Sequence, residues 1–231
     1  MIARGLPLLA TGRYTRAAVT FRHIALEGPT GVGTSALAER LATRLDATLV
    51  LEELDNPFLP DFYAERPGSA LQAQLFFLLS RHRQQIALRQ SDLFAQLTIS
   101  DYVFDKDRIY AFLNLDDNEL FIYERLYELL SRDLVAPDLV IYLQAPTDVL
   151  VARLHDRHKA GDGEAPVPDP AYLQELNEAY HHFFFHYTAT PLLVVETSHF
   201  MPEPSEAAMD DLLHQIETMA SGTRYYVPRG R

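Results

Sequence analysis

Short apolar runs rich in β-branched residues alternate along this chain with longer stretches of helical period. Five runs read as strands: "RHIALE" (22–27), "ATLVLEE" (47–53), "QLTISD" (96–101), "DLVIYL" (138–143) and "PLLVVE" (191–196), each bounded by polar or turn residues. Between them the pattern predicts helices near 34–45, 69–90, 105–131 with a break around Asn114 to Asp117, 147–158, 170–187 and 203–219. Strands that alternate with helices are the signature of βαβ units, so the expected fold is α/β, a five-stranded parallel sheet flanked by helices. No internal repeat is visible, and 231 residues suit a single domain.

Three segments stand outside that rhythm. "AGDGEAPVPDPA" (160–171) is rich in Gly, Pro and acids between two helices, and its place beside Arg153, Arg157 and Lys159 marks a mobile lid over about 157–169. Residues 1–21 carry Arg4, Arg13 and Arg16, with no acid before Glu27, and read as a disordered extension. Residues 220–231 read as a partly ordered tail whose Tyr225 and Tyr226 pack on the body. The expected domain therefore spans 22–219.

Composition narrows the function. There is no cysteine, which excludes a thiolate metal site and a cysteine nucleophile and agrees with a cytoplasmic setting. No apolar run is long enough to span a membrane. A net charge of −12 argues against a nucleic-acid partner, whose affinity would need clustered Lys and Arg. Lys106 and Lys159 are the only lysines, so the positive charge is nearly all arginine, which suits bidentate phosphate recognition.

"EGPTGVGTSALAERLA" (27–42) follows the first strand and opens a helix. Gly28, Gly31 and Gly33 let the backbone curl so that N–H groups converge on an anion at the helix N-terminus. Ser35 stands where a phosphate loop ligates Mg²⁺. Thr34 stands where such a loop carries its lysine, a substitution that removes an electrostatic contribution of about 10²–10³ in rate. The replacement cation is expected from the lid, where Arg153 and Arg157 share a helix face.

The segments "IALEGPTGVGTSALAERLA", "LVLEELDNPFLPDFYAE", "QAQLFFLLSRHRQQI", "SDYVFDKDRIYAFLNL", "LYELL", "PDLVIYLQAPTDVLVARL" and "PAYLQELNEAYHHFF" resemble, in this order, the deoxynucleoside kinases, specifically the bacterial deoxyadenosine/deoxyguanosine kinase branch. The resemblance covers about residues 22 to 195. It implies the P-loop kinase fold with a lid, and transfer of phosphate from ATP or another NTP, with Mg²⁺, to the 5′-hydroxyl of a deoxynucleoside, a purine one, in nucleoside salvage. It also implies a homodimer through helices of the 69–90 and 118–131 type.

Residue by residue, Glu53 in "LEEL" matches the carboxylate that acts as general base on the 5′-hydroxyl, with its neighbour Glu52 as the other candidate. Tyr63 resembles the tyrosine on the sugar 3′-hydroxyl, Gln74 the glutamine that reads the base edge, and Arg81 a second base-site residue. Asp101 ends the third strand in "SDY", without the arginine that often follows it in the family, and is expected to hold Mg²⁺ with Ser35 or to contact the substrate hydroxyl; Glu53 is a second water-mediated metal contact. Lys106 and Asp107 are expected to line the base pocket. Arg153, Arg157 and Lys159 match the lid pattern that clamps the donor phosphates, and Glu164 approaches the sugar.

Other patterns point away from chemistry. His182 and His186 lie one turn apart, a spacing that can hold zinc, but no second pair accompanies them, and an amphipathic helix is the expectation. Asp116, Asp117, Asp210 and Asp211 read as helix caps and solvated faces. Phe76, Phe77 and Phe112 read as core, one of them stacking on the base. No Ser/His/Asp arrangement suggests a hydrolase. The second functional reading is a nucleoside- or nucleotide-binding pseudokinase or regulatory subunit on the same scaffold, favoured by Thr34.

Overall fold

The structure, a computed structural model, describes residues 21–91, 97–132, 134, 136–161, 167–201 and 204–228. Their strands are β1 (His23–Glu27), β2 (Thr48–Val50), β3 (Thr98–Ser100), β4 (Leu139–Gln144), β5 (Leu192–Glu196) and β6 (Thr223–Tyr226). The helices are α1 (Thr34–Leu45), α2 (Leu59–Tyr63), α3 (Ser69–Ser91), α4 (Lys106–Asn114), α5 (Asp117–Ser131), α6 (Thr147–Lys159), α7 (Pro170–Phe185) and α8 (Glu206–Glu217). All strands are parallel in the order β2-β3-β1-β4-β5-β6.

The strands are apolar without alternation because both faces of the sheet are covered. On one side α1 and α8 pack Leu37, Leu41, Met209, Leu212 and Ile216 against Ile24, Leu26, Ile141 and Leu193. On the other, Tyr142 of β4 stacks on Phe184 of α7 at 4.1 Å between ring centroids, and Tyr180 joins Val140 and Val194. A third cluster, Leu78, Ala111, Tyr123 and Tyr127, binds α3, α4 and α5 together.

Local signals explain the breaks. Asp116 caps α5 in a full capping box with Glu119, which ends the helical run of α4 at Asn114. Asp169 caps α7 with Pro170 in the first turn. The acidic pair at 210–211 does more than meet solvent: Asp210 pairs with Arg44, and Asp211 accepts a hydrogen bond from Tyr226 at 2.8 Å.

The expected five strands are six. The tail forms β6, which extends the sheet beside β5, because Arg224 donates to the carbonyls of Gln215 and Thr218 at 3.0 and 2.9 Å and so anchors the strand to the C-terminus of α8. Of the two tail tyrosines, Tyr226 is buried and Tyr225 is exposed. Phe112, expected in the core, is 68% exposed on α4. Residues 1–20 and 162–166, nearly all of the extension and the centre of the lid, lie outside the described residues.

Arg224→Ala removes the side-chain cap of the last α8 carbonyls and one anchor of β6. A loss of about 1 kcal/mol and a fall in Tm of about 2–4 °C, read by calorimetry, is the expected result.

Candidate active site

β1 lies at the centre of the sheet, and the chain leaves it first toward β2 and β3 and later toward β4 on its other side. In open parallel sheets the crevice at such a switch point, beyond the C-terminal strand ends, is where ligands bind. Three segments meet there: the loop 28–33 after β1, the extended chain 51–56 after β2, and the loop 101–105 after β3.

The first is a phosphate loop in conformation as well as in sequence. Gly33, at φ 101°, is the N-cap of α1, and Gly31 has φ 89°, both in the left-handed region. A Cβ on Gly28 would lie 2.5 Å from the Leu143 carbonyl oxygen, and one on Gly33 would lie 2.6 Å from Met201 Cε. Thr34 opens α1, whose N-cap makes no side-chain hydrogen bond and whose first turn holds no acid, an end suited to an anion. Ser35 Oγ donates to Asp101 Oδ2 at 2.6 Å. A hydroxyl and a carboxylate side by side are hard oxygen donors that fit Mg²⁺, which takes only one or two protein ligands and completes its shell from phosphate and water. Among the described residues no cluster of three His, Cys, Asp or Glu offers a fuller metal cage, the His182 and His186 pair included.

Next to this loop lies a buried network of carboxylates and cations. Glu52 accepts from Lys106 Nζ at 2.6 Å and from the Arg81 guanidinium through Nε at 2.9 Å. Its backbone N–H donates to Asp101 Oδ1 at 2.6 Å, so Asp101 links the metal-suited pair to this carboxylate. Arg81 also pairs with Asp107, whose other oxygen accepts from Tyr123 at 2.9 Å. Burial alone would raise the Glu52 carboxyl; Lys106 and Arg81 overcome it and hold it at about 2, below its ordinary 4.5. Lys106 moves the other way: burial opposes its charge, but Glu52 and Glu27 keep it protonated well above the usual range.

The expected site residues divide accordingly. Ser35, Asp101, Arg81 and Lys106 converge, with Lys106 beside Glu52 at the centre. Glu53 is more exposed than Glu52, and its carboxylate accepts from the buried Ser80 Oγ at 2.5 Å, next to Arg81 on α3. Gln74 is buried, and its Nε2 donates to the Asp107 carbonyl and carboxylate at 2.9 and 2.8 Å, which fixes the amide. Tyr63, half exposed at the end of α2, has its hydroxyl pushed up by partial burial and by Tyr110.

The lid cations stand differently. The Arg153 guanidinium donates to the carbonyls of Thr197 and Met201 at 2.6 and 3.0 Å and to the Val32 carbonyl of the phosphate loop at 3.4 Å, and so binds α6 to the segment after β5. Arg157 and Lys159 are exposed at the end of α6, Lys159 being 3.9 Å from Asp156. Glu164 lies outside the described residues.

Two residues were missed by sequence reasoning. Glu27 is fully buried at the end of β1 and accepts from Gly28 N at 2.8 Å, Val103 N at 3.0 Å and Tyr180 Oη at 3.0 Å. Burial raises its carboxyl and Lys106 only partly opposes this. An acid closing an otherwise apolar strand was its visible signal. Tyr110 meets Thr30 of the phosphate loop, the two hydroxyls 3.3 Å apart, and Lys106 Nζ lies 5.9 Å from its ring centroid. Nothing in its spacing announced that.

A family model for deoxynucleoside kinases matches residues 24–221. The deoxyguanosine kinase of Bacillus subtilis (strain 168) is 32% identical over 161 residues, 68% of this chain and 75% of that protein. The deoxyadenosine kinase of Dictyostelium discoideum is 32% identical over 167 residues, 70% of this chain and 66% of that protein. Among solved structures, deoxyadenosine kinase from M. mycoides with bound dATP shares the fold at a TM-score of 0.71 and 21% identity, covering 85% of this chain and all of that one.

The network predicts a stability effect. Arg81→Met leaves Asp107 buried without its cation and deprives Glu52 of one of two, so urea denaturation should show a loss of about 3–5 kcal/mol.

Proposed function

Since the chain belongs to the deoxynucleoside kinase family, we propose that it transfers the terminal phosphoryl group of ATP, or of another nucleoside triphosphate, to the 5′-hydroxyl of a purine deoxynucleoside. The purine assignment follows the names of the two relatives above. The observation that carries the reading is the ionised Glu52 carboxylate, joined through Asp101 to Ser35 at the mouth of the phosphate loop.

The loop amides and the N-terminus of α1 bind the donor phosphates. Ser35 and Asp101 are the residues that would hold Mg²⁺, which supplies neutralisation of phosphate charge when bound. Glu52 is the residue we assign to the 5′-hydroxyl, in preference to Glu53. A carboxylate held at about 2 is fully ionised but a weak base, so it orients the hydroxyl and takes its proton only as the bond to phosphorus forms. That timing suits a loose transition state, in which the hydroxyl acidifies late. Gln74, Arg81 and Asp107 face the base, Tyr63 the sugar 3′-hydroxyl, and Arg157, Lys159 and Glu164 complete the site from the lid.

The pseudokinase alternative is not favoured, because the carboxylate network beside the loop is intact although Thr34 and the residue after Asp101 depart from the family pattern. A cytoplasmic homodimer completes the proposal. Ile122, Leu126 and Leu129 form an exposed apolar stripe along α5, and Leu79 of α3 is also exposed. Sedimentation equilibrium should return twice the 26.3 kDa chain mass, and Leu126→Glu should return a single chain mass; a single mass for the unmodified protein would rule the dimer out.

Glu52→Gln should lower kcat by about 10²–10⁴ while Glu53→Gln costs less than about tenfold; the reverse order would return the role to Glu53. The Glu52 carboxyl is lowered in the folded state, so its ionised form, and the stability it brings, are complete above 4.5 and are lost only as pH falls toward about 2. Titration of Glu52 should therefore leave no inflection in the kcat profile between about pH 8 and about pH 5.

A further inference from the structure

Thr34 leaves the phosphate loop without its usual ammonium group, and the structure allows each other cation near the loop to be weighed. Arg153 donates to the Val32 carbonyl and Thr197 Oγ1 at 3.4 and 3.2 Å as well as to the carbonyls of Thr197, Ser198 and Met201. Turning it toward a phosphate would strand those oxygens. Arg81 is 5% exposed and fixed between Glu52 and Asp107. Arg157 and Lys159 stand exposed at the far end of α6.

Lys106 is placed otherwise. Its ammonium lies 2.6 Å from Glu52 Oε2 and 4.0 Å from Glu27 Oε1, and Glu27 Oε1 in turn accepts from the amide of Gly28, the first glycine of the loop. Below it is the ring of Tyr110, whose hydroxyl meets Thr30 of the same loop. The ammonium is thus bracketed by the loop at Gly28 and at Thr30. Its side chain keeps 13% of its surface exposed, and a lysine offers three donors on a flexible stem, only one of which Glu52 takes.

We propose that Lys106 is the phosphate-facing cation of this site and meets the transferred phosphoryl group in place of a lysine at position 34. The proposal rests on the kinase reading. In the step, the nucleoside O5′ forms a bond to the γ-phosphorus, and the bond from that phosphorus to the β,γ-bridging oxygen breaks. The hydroxyl proton passes to Glu52, and the nucleoside diphosphate leaves with the electron pair. Lys106 keeps its protons and donates hydrogen bonds to the γ-phosphoryl oxygens.

The test compares the unmodified protein with Lys106→Met, Lys106→Arg and the double variant Thr34→Lys/Lys106→Met. Turnover of deoxyguanosine and deoxyadenosine with MgATP is measured, and so are the affinities for MgATP and MgADP by calorimetry. Lys106→Met should lower kcat about 10²–10³-fold with the KM for the deoxynucleoside changed less than about threefold. It should weaken MgATP binding more than MgADP binding, since only the triphosphate carries the γ-group. The double variant should regain at least about tenfold in kcat and recover the MgATP preference, which a merely structural role for Lys106 would not produce. Lys106→Arg, with the charge retained, should fold as the unmodified protein does and fall between the two.

Turnover by Lys106→Met within about threefold of the unmodified protein would overturn the proposal. So would a double variant no better than Lys106→Met, which would confine Lys106 to holding Glu52. If the unmodified protein shows no turnover, the kinase reading fails, and the affinities still decide for Lys106. Its substitution either erases the preference for MgATP, which supports the assignment, or leaves it, which overturns it.

Discussion

Glu52 is a carboxylate taken almost wholly out of water, and everything around it is arranged to keep it charged. A buried anion of this kind is tolerated only when its cations are close and well oriented, and losing one partner costs far more than the pair contributes. The two cations come from different helices, Arg81 from α3 and Lys106 from the first residue of α4, and the backbone of Glu52 is tied by Asp101 to the loop after β3. Two strand ends and two helices are therefore held in register around one charged group. Asp107 extends the arrangement to Tyr123 and Gln74, so the residues assigned to the nucleobase and the residue assigned to the hydroxyl share a single electrostatic unit.

This coupling bears on how such a site discriminates. A base that engaged Asp107 would bear on Arg81, which donates through Nε and Nη2 to one Glu52 oxygen, Oε1. On the proposed assignment, the groups for the base and the group for the 5′-hydroxyl are separated by a single planar cation. Arginine suits that position because its fork binds two carboxylates at fixed angles, which a lysine could not do.

Much of this was legible in the sequence, for physical reasons. Buried parallel strands leave uninterrupted apolar runs, and "DLVIYL" and "PLLVVE" announced β4 and β5 without ambiguity. Glycines at 28, 31 and 33 declared a loop whose backbone must curl. What was not legible depends on distance in space. The choice between Glu52 and Glu53 turns on which side of an extended chain faces the core, and "LEEL" alone does not show it. Lys106, far from the loop in sequence, reaches it because β3 lies directly beside β1. Arg153 matched a lid pattern, yet its neighbours in three dimensions are carbonyl groups. The sixth strand escaped because four residues, "TRYY", are too few to show a period and are held by contacts to α8.

That sixth strand has a consequence for what the sheet can recruit. β6 covers the edge of β5, which without it would present unpaired N–H and C=O groups. Both edges of the sheet are then short strands, β2 of three residues and β6 of four, and so brief an edge offers a strand from another molecule little to pair with.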